Sequence, residues 1–180
     1  MSGNTLMPIN SPEFQAMAAR VLQVTALTSR LNALPFDDEA GKAALFEQIL
    51  GRPLGAKVTI YPPFYTDNGL HLELGERVFI NQNCTFLDYA GIRIGDGTMI
   101  APGVTFITVG HPVEPEPRHH HLTGGPIDVA ENVWIGAGAT ILPGVSIGRD
   151  AVIAAGAVVV DNVPAASLVT GQKATVSRSW

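Results

Sequence analysis

The chain has 180 residues, 46% hydrophobic and 15% charged, which is enough apolar matter for one folded domain and excludes a disordered chain. Its net charge of −5 and the absence of any Lys/Arg run give nucleic acid no general point of attraction. The one cysteine, Cys84, excludes an intrachain disulfide and fits a reducing, cytoplasmic compartment, and no stretch approaches the roughly 20 apolar residues of a membrane span.

Met1 to Asn10 carries neither a basic start nor an apolar stretch, so no secretory signal is expected there. Ser11-Pro12-Glu13 then reads as a helix start, with an N-cap serine, proline at the first helical position and an acid in the first turn. Phe14, Met17, Val21, Val24, Leu27 or Thr28, and Leu31 follow at helical spacing, and Pro35 stops the run. Asp37-Asp38-Glu39 opens a second helix with negative charge at its positive end. Leu45, Phe46, Ile49 and Leu50 give that helix an apolar side, and Gly51 and Pro53 close it. Residues 1–56 are therefore expected to form a two-helix cap.

From about Val58 the period changes. Aliphatic or aromatic residues recur every six positions at Leu74, Ile80 and Phe86, then at Ile94, Ile100 and Phe106 after a two-residue insertion. After a longer interruption they resume at Val129, Ile135, Ile141, Ile147, Ile153 and Val159. Two positions before most of them stands a second inward candidate, usually small or β-branched: Val78, Cys84, Ile92, Thr98, Val104, Val133, Ala139, Val145, Ala151 and Ala157. A spacing of two puts both on one face of a short strand. The Gly, Asn and Asp residues that commonly follow tolerate the backbone of a corner. Three such strands make a triangular coil, and stacked coils bury a column of side chains. Mainly β architecture is expected: a parallel β-helix over 57–165 with a protruding loop at 107–126, then a C-terminal extension over 166–180. General crossover rules favour a right-handed winding. The outward residues Phe79, Met99, Trp134, Val152 and Val158 are apolar, which predicts a subunit interface.

The long interruption leaves the coil at Phe106–Val113 and returns at Pro126-Ile127-Asp128-Val129. A loop thrown out of a regular solenoid is a place to look for function. It begins with His111 between Gly110 and Pro112, and an imidazole, which titrates near neutrality, suits removal of a proton from an alcohol. His119-His120-His121 is expected to be an exposed polar stretch, because adjacent side chains diverge and do not converge on one metal. Glu114-Pro115-Glu116-Pro117 is expected to be a stiff extended edge.

The segments Tyr61–Gly69, Val78–Asp88, Thr108–Val113, Pro126-Ile127 and Glu131–Gly136 together resemble the maltose/galactoside O-acetyltransferase family of hexapeptide-repeat transferases, in that family's order and spacing over about Asn32 to Val163. The resemblance implies a left-handed parallel β-helix, a homotrimer with clefts between subunits, acetyl-CoA as acyl donor, no required metal, and a small sugar-like acceptor. It implies that His111 is the general base of a direct attack on the thioester. It implies that Asn81, Asp67 and Asp88 hold the acceptor, with Trp134 near the same cleft. It implies that Ala137 and Ala155 contact the pantetheine arm of CoA. Val160-Asp161 stands where the family has Thr-Lys, Arg178 matches a basic position, and Lys173 is a displaced candidate for the nucleotide phosphates. The family's acid in the first helical segment has no clean match; Glu13 lies nearby. The alternatives to a sugar-directed O-acetyltransferase are an acetyltransferase for a non-sugar alcohol or amine, a non-catalytic binding or scaffold subunit, and a β-helix carbonic anhydrase. For the last, His71, His111 and the His119–His121 run have no fitting ligand spacing.

Overall fold

The computed structural model describes residues 7–173, Thr175 and Arg178. Helix α1 spans Pro12–Asn32 and helix α2 spans Glu39–Leu50. The Ser11 hydroxyl accepts from Phe14 N at 3.1 Å, the Asp38 carboxylate accepts from Gly41 N at 2.8 Å, and Gly51 closes α2 in the left-handed region. Both starts and both stops thus follow from the local chemistry of the chain. The helices bury Val24, Leu27 and Leu31 against Leu45, Phe46, Ile49 and Leu50, and they plug one end of the β-column. The plug also satisfies the edge it covers. The Asn32 side-chain amide donates to Phe64 O at 3.0 Å while its carbonyl accepts from Phe64 N at 2.9 Å, replacing the strand that the edge lacks.

The rest is the left-handed parallel β-helix. Its first wall stacks six strands: Thr59–Ile60, Phe79–Ile80, Met99–Ile100, Trp134–Ile135, Val152–Ile153 and Leu168–Val169. The second wall stacks Phe64–Thr66, Cys84–Leu87, Thr105–Ile107, Thr140–Ile141 and Val158–Val159, and the third Leu72–Leu74, Ile92–Ile94, Ile127–Val129 and Ser146–Ile147. All neighbours pair in parallel and in register, so Ile80, Ile100, Ile135 and Ile153 form one inward column. On the second wall Phe86 and Phe106 stack at 4.9 Å between ring centres. Of the residues expected inward, Leu74 is only half-buried. The first coil begins at Thr59–Ile60, within the expected span, and the column runs on past its C-terminal limit. Ile60, Phe64 and Leu72 are buried in that first coil, and Leu168–Val169 pairs with Val152–Ile153 beyond the expected limit at 165.

Corners turn through the left-handed region. Between the third and first walls the turning residues are Arg77, Gly97, Asn132, Asp150 and Ala166, and between the first and second they are Asn83, Gly103, Gly138 and Gly156. Outside, the first wall carries a row in which Met99, Trp134 and Leu168 are 51%, 52% and 66% exposed. Phe79 and Val152 in the same row are half-buried.

The loop is not free-standing. Val109–Gly110 pairs antiparallel with His121–Gly124, which pairs on its other edge with Met7–Pro8. The N-terminal strand carries too short a pattern to be read from sequence. The Glu114–Pro117 run is not a uniformly extended edge. Glu116 is helical, and Pro117–His119 forms a 3-10 turn, for which proline's fixed φ is suited. His119 and His120 are exposed and His121 is half-buried; among the described residues no three His, Cys, Asp or Glu side chains converge on a point.

Candidate active site

His111 follows the strand Val109–Gly110 and is exposed. Its Nδ1 lies 3.0 Å from the Arg118 carbonyl oxygen. A carbonyl only accepts, so in the neutral ring Nδ1 carries the hydrogen and Nε2 keeps its lone pair, the form a general base requires. The main chain of the loop therefore selects the tautomer.

The other expected residues divide between two corners of the triangular column. Asn81, Ala137 and Ala155 occupy the corner between the first and second walls. Asn81 is half-buried, and its side-chain oxygen accepts from Gln82 N at 2.8 Å. Asn83 is the residue that turns this corner, at φ 60°. Of the two asparagines, Asn81 alone is free of that backbone duty. Ala137 and Ala155 are exposed on successive coils, joined by Gly156 N donating to Ala137 O at 2.9 Å. The coils are tight here: a Cβ on Gly136 would lie 2.5 Å from Ala155 N. Asp67, Asp88, Val160 and the loop with His111 belong to the corner between the second and third walls. One chain thus brings Ala137, Ala155 and Asn81 onto one corner and His111 onto another. Lys173 and Arg178 are exposed beyond the last strand.

The Asp88 carboxylate turns inward, toward its own main chain. The residue is fully buried, and the carboxylate accepts from Thr66 Oγ1 at 2.5 Å and from the main-chain N–H groups of Asn68, Gly69 and His71 at 2.9–3.1 Å. The carboxylate is the internal cap of the corner, because amides that turn away from the strand ladder need an acceptor. Asp67 is half-buried beside it and accepts from Asp88 N at 2.8 Å. Burial first, and the neighbouring Asp88 charge second, push the Asp67 pKa up from 3.8 to about 7.

Sequence reasoning missed a cavity of about 170 Å³ at the base of the loop, lined by Met7, Glu13, Tyr89, Val109, Leu122 and Pro126 among others. Tyr89 Oη donates to Met7 Sδ at 3.7 Å, and burial, then the Glu13 charge, raise its pKa, so the phenol stays a donor. Glu13 is the acid in the first turn of α1, and Met7, on the strand that pairs with the loop, lines the same cavity. A larger hollow of about 1230 Å³ lies on the third wall, around the Arg93–Asp128 ion pair at 2.7 Å, and none of the expected site residues lines it.

The family described as bacterial transferase hexapeptide (six repeats) matches residues 126–161, the stretch that carries Ala137, Ala155 and Val160. Nodulation protein L of Rhizobium meliloti is 40% identical over 166 residues, covering 92% of this chain and 88% of that protein. The chain belongs to the hexapeptide-repeat acetyltransferases of the maltose/galactoside type. Among solved structures, a maltose O-acetyltransferase from Clostridium difficile 630 superposes with a TM-score of 0.85 at 30% identity, over 93% of this chain and 88% of that one. A galactoside acetyltransferase in complex with coenzyme A superposes with a TM-score of 0.81 at 28% identity, over 93% of this chain and 82% of that one. At 93% of this chain, the likeness of this hexapeptide-repeat acetyltransferase to these neighbours extends beyond the solenoid.

Proposed function

We propose that this chain transfers the acetyl group of acetyl-CoA to a hydroxyl of a small sugar-like acceptor, with His111 as general base. The observation that carries the reading is the Nδ1–carbonyl hydrogen bond, which leaves Nε2 as acceptor on an exposed ring. The acceptor O–H donates to Nε2, its oxygen attacks the thioester carbonyl, and the imidazolium returns the proton to the departing CoA thiolate. No covalent enzyme intermediate is needed.

Asn81 stands on a different corner from His111, so a complete site takes His111 from one copy and Asn81 from the next. The exposed apolar row on the first wall supports such an assembly, and the family resemblance supports a homotrimer. The corner with Ala137 and Ala155, where no large side chain stands, suits the pantetheine arm; Val160, Lys173 and Arg178 fit a place nearer the nucleotide. The cavity beside Glu13 and Tyr89 is the proposed acceptor entrance, with Asp67 at the same corner. Its carboxylate beside Met7, Leu122 and Val109 also suits an amine or a non-sugar alcohol with an apolar body, the second reading.

The test is release of CoA thiol from acetyl-CoA across a panel of sugars, alcohols and amines. One class of hydroxylic acceptor is expected to be turned over, and His111→Ala is expected to lose about 100-fold or more of that rate. A folded His111→Ala protein that turns over at the original rate would remove the proposal.

A further inference from the structure

We propose that Arg118 is the positioning residue for His111, holding the base from both its main chain and its side chain; the inference rests on the reading of His111 as that base. The Arg118 carbonyl accepts from His111 Nδ1 at 3.0 Å. The guanidinium of the same residue reaches back across the loop, Nε donating to Pro112 O at 3.3 Å and Nη2 donating to Val113 O. Arg118 therefore closes a ring of contacts around the two residues that follow His111 and sets the imidazole itself.

The composition of the loop explains why a side chain must do this. Pro112, Pro115 and Pro117 have no N–H to donate. Among the described residues, the one main-chain hydrogen bond within 111–120 is His120 N to Pro117 O, which tightens the 3-10 turn but does not join its two arms. The far arm is anchored, because Ile9 N donates to His120 O at 2.8 Å and the strand His121–Gly124 is paired on both edges. The near arm, at Pro112 and Val113, is tied to it by the guanidinium. A planar fork can serve two carbonyls at once, whereas an ammonium is a single point on a flexible stem. Since a small misplacement of a base costs rate much more than substrate affinity, the role has a kinetic signature.

Arg118→Met and Arg118→Lys, beside His111→Ala, would be assayed with the acceptor found in the screen. Both Arg118 variants are expected to keep their circular dichroism and melting temperature, the side chain being exposed. The expected result is that kcat falls about tenfold or more in Arg118→Met while KM for acetyl-CoA changes less than twofold. Lysine should restore little of it, and added methylguanidinium should restore part of the Arg118→Met rate. In ¹⁵N-histidine spectra the free protein should show His111 as the Nδ1–H tautomer and Arg118→Met a mixture. Wild-type kcat in both variants while His111→Ala is inactive would overturn the inference and leave the proposed function standing. So would equal losses in kcat and stability without methylguanidinium rescue, which would mark Arg118 as merely structural. Full activity in His111→Ala would instead overturn the proposed function.

Discussion

At the scale of single residues, the pair Asp67 and Asp88 shows how one residue type takes opposite duties twenty-one positions apart. Asp88 supplies acceptors to the main-chain N–H groups of Asn68, Gly69 and His71 and to Thr66. Asp88→Ala would leave those donors without partners, so a loss of about 3 kcal/mol or more is expected, read as a lower urea midpoint. Asp67 holds its proton in the folded chain up to about pH 7 against an ordinary value of 3.8. Between those values the folded chain binds one more proton than the unfolded chain, so stability falls as pH rises through the window. This contribution is fully present below about pH 4 and lost above about pH 7. Asp67→Asn does not titrate, and its amide can still donate to Asp88. The drop in melting temperature from pH 5 to pH 8 should therefore shrink in that variant; an unchanged drop would exclude Asp67 as its source. Asn81 and Asn83 teach the same lesson. Asn83 turns its corner at φ 60°, whereas two positions earlier the Asn81 side chain accepts from Gln82 N.

Among the elements, the corners are where local chemistry is most demanding. Each turn between the third and first walls places one residue in the left-handed region, and Arg77 and Ala166 do so at φ 56° and 54° without glycine's freedom or a short polar side chain's help. Ala166→Gly removes the Cβ conflict but makes the unfolded chain more flexible. A net gain of up to about 1 kcal/mol is expected by denaturant titration. Gly103→Ala, at φ 71°, should lose about 1 kcal/mol or more in the same assay. Equal midpoints for both variants and the parent would show that the corners carry no such strain. Helix starts and stops were readable because each is decided within four residues, as at Ser11 and Asp38. The strand Met7–Pro8 was not, since two residues hold no period and its partner lies at His121–Leu122, more than a hundred positions away.

For the whole molecule, the row of Met99, Trp134 and Leu168 predicts association. Trp134→Glu would put a charge in the middle of the row, so light scattering should show the oligomer shifting toward monomer. Under the proposed shared site turnover should fall with it, because His111 and Asn81 lie on different corners of one chain. A fully active monomer would sink the shared site. The six-residue recurrence was sufficient to derive the parallel column and its inward residues, since burial every sixth position follows from the repeat alone. The order of motifs around His111 was likewise sufficient for the family. Which corner each polar residue occupies, whether Asp88 faces a ligand or its own main chain, and what fixes the tautomer of His111 were decided only by folding. Those outcomes depend on contacts between residues far apart in the chain or on side-chain directions that no period encodes.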